Sequence, residues 1–273
     1  MEQKIILITG ASSGIGKCAA EALLRKGHLV YAAARRVERM SDLEKAGAIL
    51  LKMDVTDEKS VAEGVSRVLS EQGRIDVLVN NAGYGYFGAL ETVPLEEARA
   101  QFDVNVFGLA SLCQAVLPQM RAQGGGRIVN VASMAGHFCE PRGGWYHASK
   151  YSVVALSECM RMEVKPFGVK VMLVEPGMIR SSWCDIAMDN LEACSAGTVY
   201  GSGAARHSKV FRWAYARFAT KPEVIADAIA KASTSRRPRL HYRRGMGSTL
   251  LPVLSKLLPS RCFDNILLSI FGK

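Results

Sequence analysis

The chain has 273 residues, 49% hydrophobic and 22% charged, with 25 glycines and 9 prolines, which excludes a disordered, collagen-like or disulfide-scaffold protein and allows a sizeable core. The formal charge of +10 is uneven: residues 201–250 hold 11 Lys/Arg against 2 Asp/Glu, whereas residues 1–200 hold 21 against 22. The seven cysteines are odd in number and well separated, with no Cys-x-x-Cys pair and no histidine at ligand spacing, so free thiols in a reducing compartment and no metal site are expected.

The apolar run Ile5–Ile8 near the amino terminus is too short for a signal peptide or a membrane span, and a cytoplasmic location is expected. From there, short β-branched runs alternate with stretches of helical period, the pattern of repeated β-α units and a parallel sheet. Strands are predicted at Lys4–Thr9, Leu29–Ala34, Ala48–Lys52, Val77–Asn80, Arg127–Ala132 and Lys170–Glu175, each apolar enough to be covered on both faces. Helices are predicted at Gly14–Lys26, Asp57–Gln72, Pro94–Gln123 and Trp145–Lys165. The fold class is therefore α/β, a Rossmann-type doubly wound parallel sheet of six to seven strands in a single domain, residues 1–273. After Pro176-Gly177 the period weakens, and residues 178–220, polar with scattered aromatics, are predicted to be a substrate-lid insertion. A helix at Pro222–Ala232 and a seventh strand at Arg239–Tyr242 precede the carboxyl-terminal extension 245–273, whose apolar spacing predicts two short amphipathic helices between Leu250 and Phe271.

Thr9-Gly10-Ala11-Ser12-Ser13-Gly14-Ile15-Gly16 follows the first strand and opens the first helix. In that context Gly10 allows the tight turn, Gly14 lets the backbone approach a pyrophosphate, and Gly16 permits close helix packing. At the end of the second strand an NAD-selective fold places an acid to hold the ribose hydroxyls, but this chain reads Ala33-Ala34-Arg35-Arg36. Arg35, helped by Ser12, suits a 2′-phosphate, so NADP is favoured over NAD. Tyr146 and Lys150 are four residues apart on one predicted helix, so phenol and ammonium share a face, and the cation is expected to lower the phenol's pKa. Ser133, just beyond the fifth strand, is placed to hold a substrate carbonyl.

Taken together, Thr9-Gly10-(x)3-Gly14-x-Gly16, Asp54-Val55, Asn80-Asn81-Ala82-Gly83, Asn105, Ser133, Tyr146-(x)3-Lys150 and Pro176-Gly177 resemble the short-chain dehydrogenase/reductase family, closely over residues 4–180. The resemblance implies that Tyr146 is the general acid/base, that Lys150 lowers its pKa and binds the nicotinamide ribose, that Ser133 positions the substrate oxygen, and that Asn105 holds a relay water. It further implies that Asp54 and Val55 meet the adenine, that Asn81, Ala82 and Gly83 line the adenosine, and that Pro176, Gly177 and Ile179 meet the nicotinamide. Arg35 matches the basic position of NADP-preferring members, while Ser13 stands where some carry a second basic residue. Homodimers or homotetramers are common in such a family.

Residues 178–220 and the tail resemble members akin to the 17β-hydroxysteroid and retinol dehydrogenases. With Met134, Phe138, Trp145, Trp183 and Met188 expected near the pocket, an apolar carbonyl or alcohol of steroid, retinoid or long-chain type is the expected substrate. The basic stretch beside the amphipathic tail raises peripheral membrane contact through the carboxyl-terminal region. A second class of function stays open: an NADP-sensing regulator that uses residues 201–250 to bind an acidic partner, nucleic acid or a membrane surface. No nucleic-acid-binding motif is present in that stretch, and nucleic acid is not expected.

Overall fold

The structure, a computed structural model, describes residues 2–272. Seven strands, β1 (Ile5–Thr9), β2 (Leu29–Ala34), β3 (Ile49–Lys52), β4 (Val77–Asn80), β5 (Gly126–Val131), β6 (Val169–Pro176) and β7 (His241–Arg244), form one parallel sheet in the order β3-β2-β1-β4-β5-β6-β7. The chain runs outward from β1 through β2 to β3, then crosses back to β4 on the other side. That reversal opens a crevice at the carboxyl edge between β1 and β4, the place where open α/β sheets bind ligands.

The unbroken apolar runs are explained by cover on both faces. Helices α1 (Gly14–Arg25), α2 (Ser41–Lys45) and α9 (Glu223–Thr234) pack on one side, and α3 (Glu58–Gln72), α5 (Gly108–Ala122) and α6 (Gly144–Val164) on the other. Ile6, Leu7, Ile8, Val77, Leu78 and Val79 are completely buried between them, each stabilising the fold by roughly 2 kcal/mol. The termini of α3 follow their local chemistry. Asp57 caps it by accepting a hydrogen bond from the Lys59 amide at 3.0 Å, and Gly73 ends it with φ 71°.

The tertiary structure departs from the expected elements in four places. The helix predicted over Pro94–Gln123 runs from Leu95 to Ala122, but its α-helical parts, α4 (Leu95–Phe102) and α5, are joined by a π-helical turn at Asp103–Phe107. The region 178–220 forms two helices, α7 (Trp183–Ser195) and α8 (Gly201–Phe218). Strand β7 begins two residues later than expected, because Leu173 pairs with His241 and Glu175 with Arg243. Helix α2 and the 3-10 turn Val37–Met40 before it were not foreseen, being short and largely polar. The tail folds as two helices, α10 (Leu250–Leu257) and α11 (Ser260–Phe271), within the span predicted for them.

The pairing of β6 with β7 carries an ion cluster that the sequence did not announce. Glu175, completely buried, accepts from Arg243 Nε at 3.0 Å, lies 3.3 Å from His241 Nδ1, and also pairs with His137. Burial pushes its carboxyl up, but His137, His241 and Arg243 together hold it below the ordinary value. The folded protein therefore binds this proton more weakly than the unfolded chain. The resulting stability is fully present above the ordinary carboxyl value and is lost as the pH falls from there through the lowered one. Glu175→Gln is expected to cost about 3 kcal/mol at neutral pH by leaving Arg243 without its carboxylate. Thermal denaturation at pH 7 and again near pH 3 checks this: the gap between wild type and variant should shrink in acid.

Candidate active site

The carboxyl ends of β1 and β4 are tied together by side chains. Thr9 Oγ1 accepts from the Asn81 and Ala82 amides, both at 3.2 Å, while Asn81 Nδ2 donates to the carbonyls of Thr9 at 3.0 Å and Gly10 at 3.3 Å. This leaves no room for side chains in the glycine turn. A Cβ on Gly10, whose φ is +67°, would sit 2.9 Å from Ala82 Cα, and one on Gly16 would collide with Gly10 O and Asn81 Nδ2. Gly14 differs. Its φ is +56°, yet an added Cβ would meet only Ser181 Cβ, at 4.0 Å, so this glycine faces open space where a ligand can approach the backbone.

Ser13 precedes α1 in extended backbone without capping it through its side chain, and no acid lies in the first turn. The first amides of α1 are thus available to an anion. Ser12 is half-buried in the same turn, and Ile15 packs partly onto the core beneath. Arg35, at the end of β2, is 70% exposed and 4.0 Å from Asp54 Oδ2, a separation at which a surface pair holds the guanidinium weakly. Asp54 is otherwise engaged by Thr56, whose amide and hydroxyl donate to it at 3.0 and 2.8 Å. Val55 is buried against Gly108 at the start of α5.

Ser133, Tyr146, Lys150 and Asn105 come from three different segments and are all buried. Tyr146 and Lys150 lie on the inner face of α6. Ser133 leaves β5 and starts the 3-10 turn Met134–Gly136, its Oγ accepting from the Ala135 amide at 3.1 Å. Asn105 sits in the π-helical turn, a distortion often found at functional sites. Its Oδ1 accepts from the Tyr84 amide at 3.0 Å, and its Nδ2 donates to the Tyr84 carbonyl at 2.9 Å and to Ser149 Oγ at 3.0 Å. Both amide protons of Asn105 are thereby spent on fixing the loop after β4 and, through Ser149, the first turn of α6. Gly83 marks where the two segments meet, since a Cβ there would lie 2.9 Å from Asn105 Oδ1 and 3.5 Å from Lys150 Nζ.

The electrostatics of the pair differ from the sequence expectation. Burial pushes the Tyr146 phenol up to about 12, with a hydrogen bond to Ser133 working in the opposite direction, and Lys150 does not figure among its perturbers. Burial also brings Lys150 down to about 8 while its Nζ donates to the Val131 carbonyl at 3.2 Å. A phenol so disposed stays protonated at neutral pH, and the ammonium beside it exchanges its proton near physiological pH.

Beyond β6, Gly177 is required by close approach, since a side chain would collide with Met246 O, and its amide donates to Arg244 O at 2.8 Å. Pro176 closes β6. The side chain of Ile179 belongs to the core, and its backbone bridges to Thr220. Over Tyr146 lies an aromatic wall: Phe87 at 5.6 Å and Trp183 at 5.1 Å between ring centroids, with Tyr215 stacked on Trp183 at 6.2 Å. Met188 is buried in the same cluster, with Met134 at its edge, whereas Trp145 packs on Phe102 and Phe138 on His147 and Phe263.

Phe87 and His207 escaped the sequence reading, having no motif to flag them. His207 is completely buried on α8, stacks on Phe271 at 4.2 Å and meets Phe87 at 6.2 Å, and neither ring nitrogen has a hydrogen-bond partner among the described residues. Burial lowers it to about 4, so the ring is neutral, with one donor and one acceptor to offer.

The short chain dehydrogenase family matches residues 4–189. A 3-ketodihydrosphingosine reductase of Bacteroides thetaiotaomicron is 45% identical over 186 residues, covering 68% of this chain and 67% of that protein. An NADPH-dependent 3-dehydrocapnine reductase of Ornithobacterium rhinotracheale is 31% identical over 95% of this chain and 94% of its own. Among solved structures, a short-chain dehydrogenase from Streptomyces avermitilis superposes with a TM-score of 0.82 at 33% identity, covering 96% of this chain and 94% of the other.

Proposed function

The chain belongs to the short-chain dehydrogenase family, and from that premise we propose that this oxidoreductase uses NADP(H) to interconvert an apolar, long-chain-like ketone or aldehyde and its alcohol. The observation that carries the reading is the buried convergence of Ser133, Tyr146 and Lys150 under an aromatic wall, at the crevice that also holds the open amino terminus of α1.

The residues present fit the cofactor. The open face of Gly14 and the uncapped amides of α1 suit a pyrophosphate, and Arg35, with no acid beside it on β2, suits a 2′-phosphate. The printed name of the O. rhinotracheale relative, NADPH-dependent, points the same way. Bound NADP(H) supplies or accepts the hydride. The chain's own part is the proton: Ser133 and Tyr146 hold the carbonyl oxygen, Tyr146 donates its phenolic proton to it, and Lys150 carries the proton that restores the phenol. A phenol held protonated to about pH 12 is in the form that donates to a carbonyl oxygen.

The aromatic wall selects an apolar substrate. The resemblance of the tail to hydroxysteroid and retinol dehydrogenases is the finer alternative, but two relatives are named as reductases of 3-keto and 3-dehydro compounds, which favours the long-chain class.

The test is oxidation of NADPH and NADH by the pure protein across a panel of ketones and aldehydes, with and without a hydroxyl or amine near the carbonyl. Turnover with NADPH and an apolar ketone is expected; none with any carbonyl, nor in reverse with the matching alcohols, removes the reading. The pH profile is a second check. Lys150 loses its charge as the pH rises through about 8, so the rate of reduction should fall above that value by about tenfold per pH unit. A profile flat to pH 10, about two units beyond, would clear Lys150 of a proton-carrying role.

A further inference from the structure

We propose that the carboxyl-terminal face, formed by the approach to β7 together with α10 and α11, is a docking surface for an anionic phospholipid membrane. Residues 228–273 contain nine Lys/Arg and a single acid, Asp264. Arg236, Arg237, Arg239, Arg244, Lys256 and Arg261 in this stretch are all exposed. The same stretch is apolar on two sides. Leu251, Leu254 and Leu258 of the α10 segment pack against the aromatic cluster, but Leu250, Val253 and Leu257, spaced three and four residues apart on the opposite side, are 62%, 40% and 75% exposed. Helix α11 repeats the arrangement, with Phe263, Leu267 and Phe271 inward and Ile266 and Ile270 outward. Leu240 and Met246 add exposed apolar side chains on either side of β7.

Tertiary structure brings β7, α10 and α11 side by side. Arg243 and His241 of β7, Lys256 of α10 and Phe263 of α11 line a single cavity of about 610 Å³. An exposed leucine row in a cation-rich stretch matches a surface with an apolar interior and anionic headgroups, where each cation strengthens partitioning about fivefold. Helices of 8 and 12 residues are too short to cross a bilayer and would lie in its interface. A second copy of the chain fits less well, because an isologous contact sets the arginines against themselves. Nucleic acid would match the arginines and leave the leucines bare.

The experiment is co-sedimentation of the full chain with vesicles of phosphatidylcholine alone or with about one third phosphatidylglycerol, in roughly 0.05 M and 1 M salt. The protein is expected to pellet with the anionic vesicles at low salt, at least tenfold more than with neutral ones. The triple variant Arg236→Glu, Arg237→Glu, Arg239→Glu should weaken partitioning about 100-fold or more, and Leu250→Ser, Val253→Ser, Leu257→Ser should also abolish pelleting. None of these residues touches the site, so NADPH oxidation with a soluble ketone, or the far-UV spectrum if no ketone is turned over, reports intact folding separately. Three results would overturn the proposal: no pelleting at low salt, pelleting that survives both triple variants, or a dimer in the ultracentrifuge that the leucine variant dissociates while vesicles go unbound.

Discussion

Replacing Tyr146 by Phe is expected to lower kcat/KM for carbonyl reduction about a thousandfold or more, while NADPH binding stays within a few-fold of wild type. The variant removes a single oxygen atom. The ring keeps its contacts with Phe87 at 5.6 Å and Trp183 at 5.1 Å, so the aromatic wall and the start of α6 should survive. What is lost is the buried phenol that hydrogen-bonds Ser133 with its proton held to about pH 12. Steady-state kinetics with a ketone from the panel, alongside fluorescence titration with NADPH, separates the two effects. Activity reduced less than about tenfold would mean that another group delivers the proton. The same variant also tests a purely sensing role, because a regulator would keep all of its behaviour.

The second large effect is expected at Arg35. Arg35→Glu should lower kcat/KM with NADPH about 100-fold and leave NADH nearly unchanged, reversing the cofactor preference. The guanidinium is 70% exposed and only loosely held by Asp54 at 4.0 Å, so the substitution disturbs little of the fold. A charge-assisted hydrogen bond to a phosphate is worth about 1.5–3 kcal/mol, and a carboxylate in its place adds repulsion. The ratio of kcat/KM for the two cofactors is the quantity to measure. A ratio that moves less than about threefold would make Arg35 a solvated surface residue and shift attention to Arg36 or Ser12.

The β-α alternation was legible because strands covered on both faces must be apolar throughout, and such runs stand out against amphipathic helices. Glycine spacing after the first strand and the four-residue step from Tyr146 to Lys150 are equally local, and the structure places all of them at one crevice. Residues 178–220 read as a lid-like insertion of weak period because α7 and α8 mix small, polar and aromatic side chains; their helical form is stabilised by packing on Tyr146, Phe87 and each other. The slip of β7 by two residues has the same kind of cause. Arg243 is drawn into the strand by Glu175, a partner 68 residues away in the chain.

The amino-acid sequence by itself determined the strands, the phosphate-ready turn, the candidate proton donor and the basic, amphipathic tail, since each is a pattern within a few consecutive residues. Only the tertiary structure decided the protonation chemistry and the shape of the pocket. It placed Asn105 in a π-helical turn that spends its amide protons on Tyr84 and Ser149. It put Tyr146 and Lys150 where burial, rather than their mutual charge, sets their pKa values. It also brought Phe87, His207 and Phe271 together from three distant segments. Burial and convergence are sums over neighbours far apart in the chain, and spacing along the sequence does not carry them.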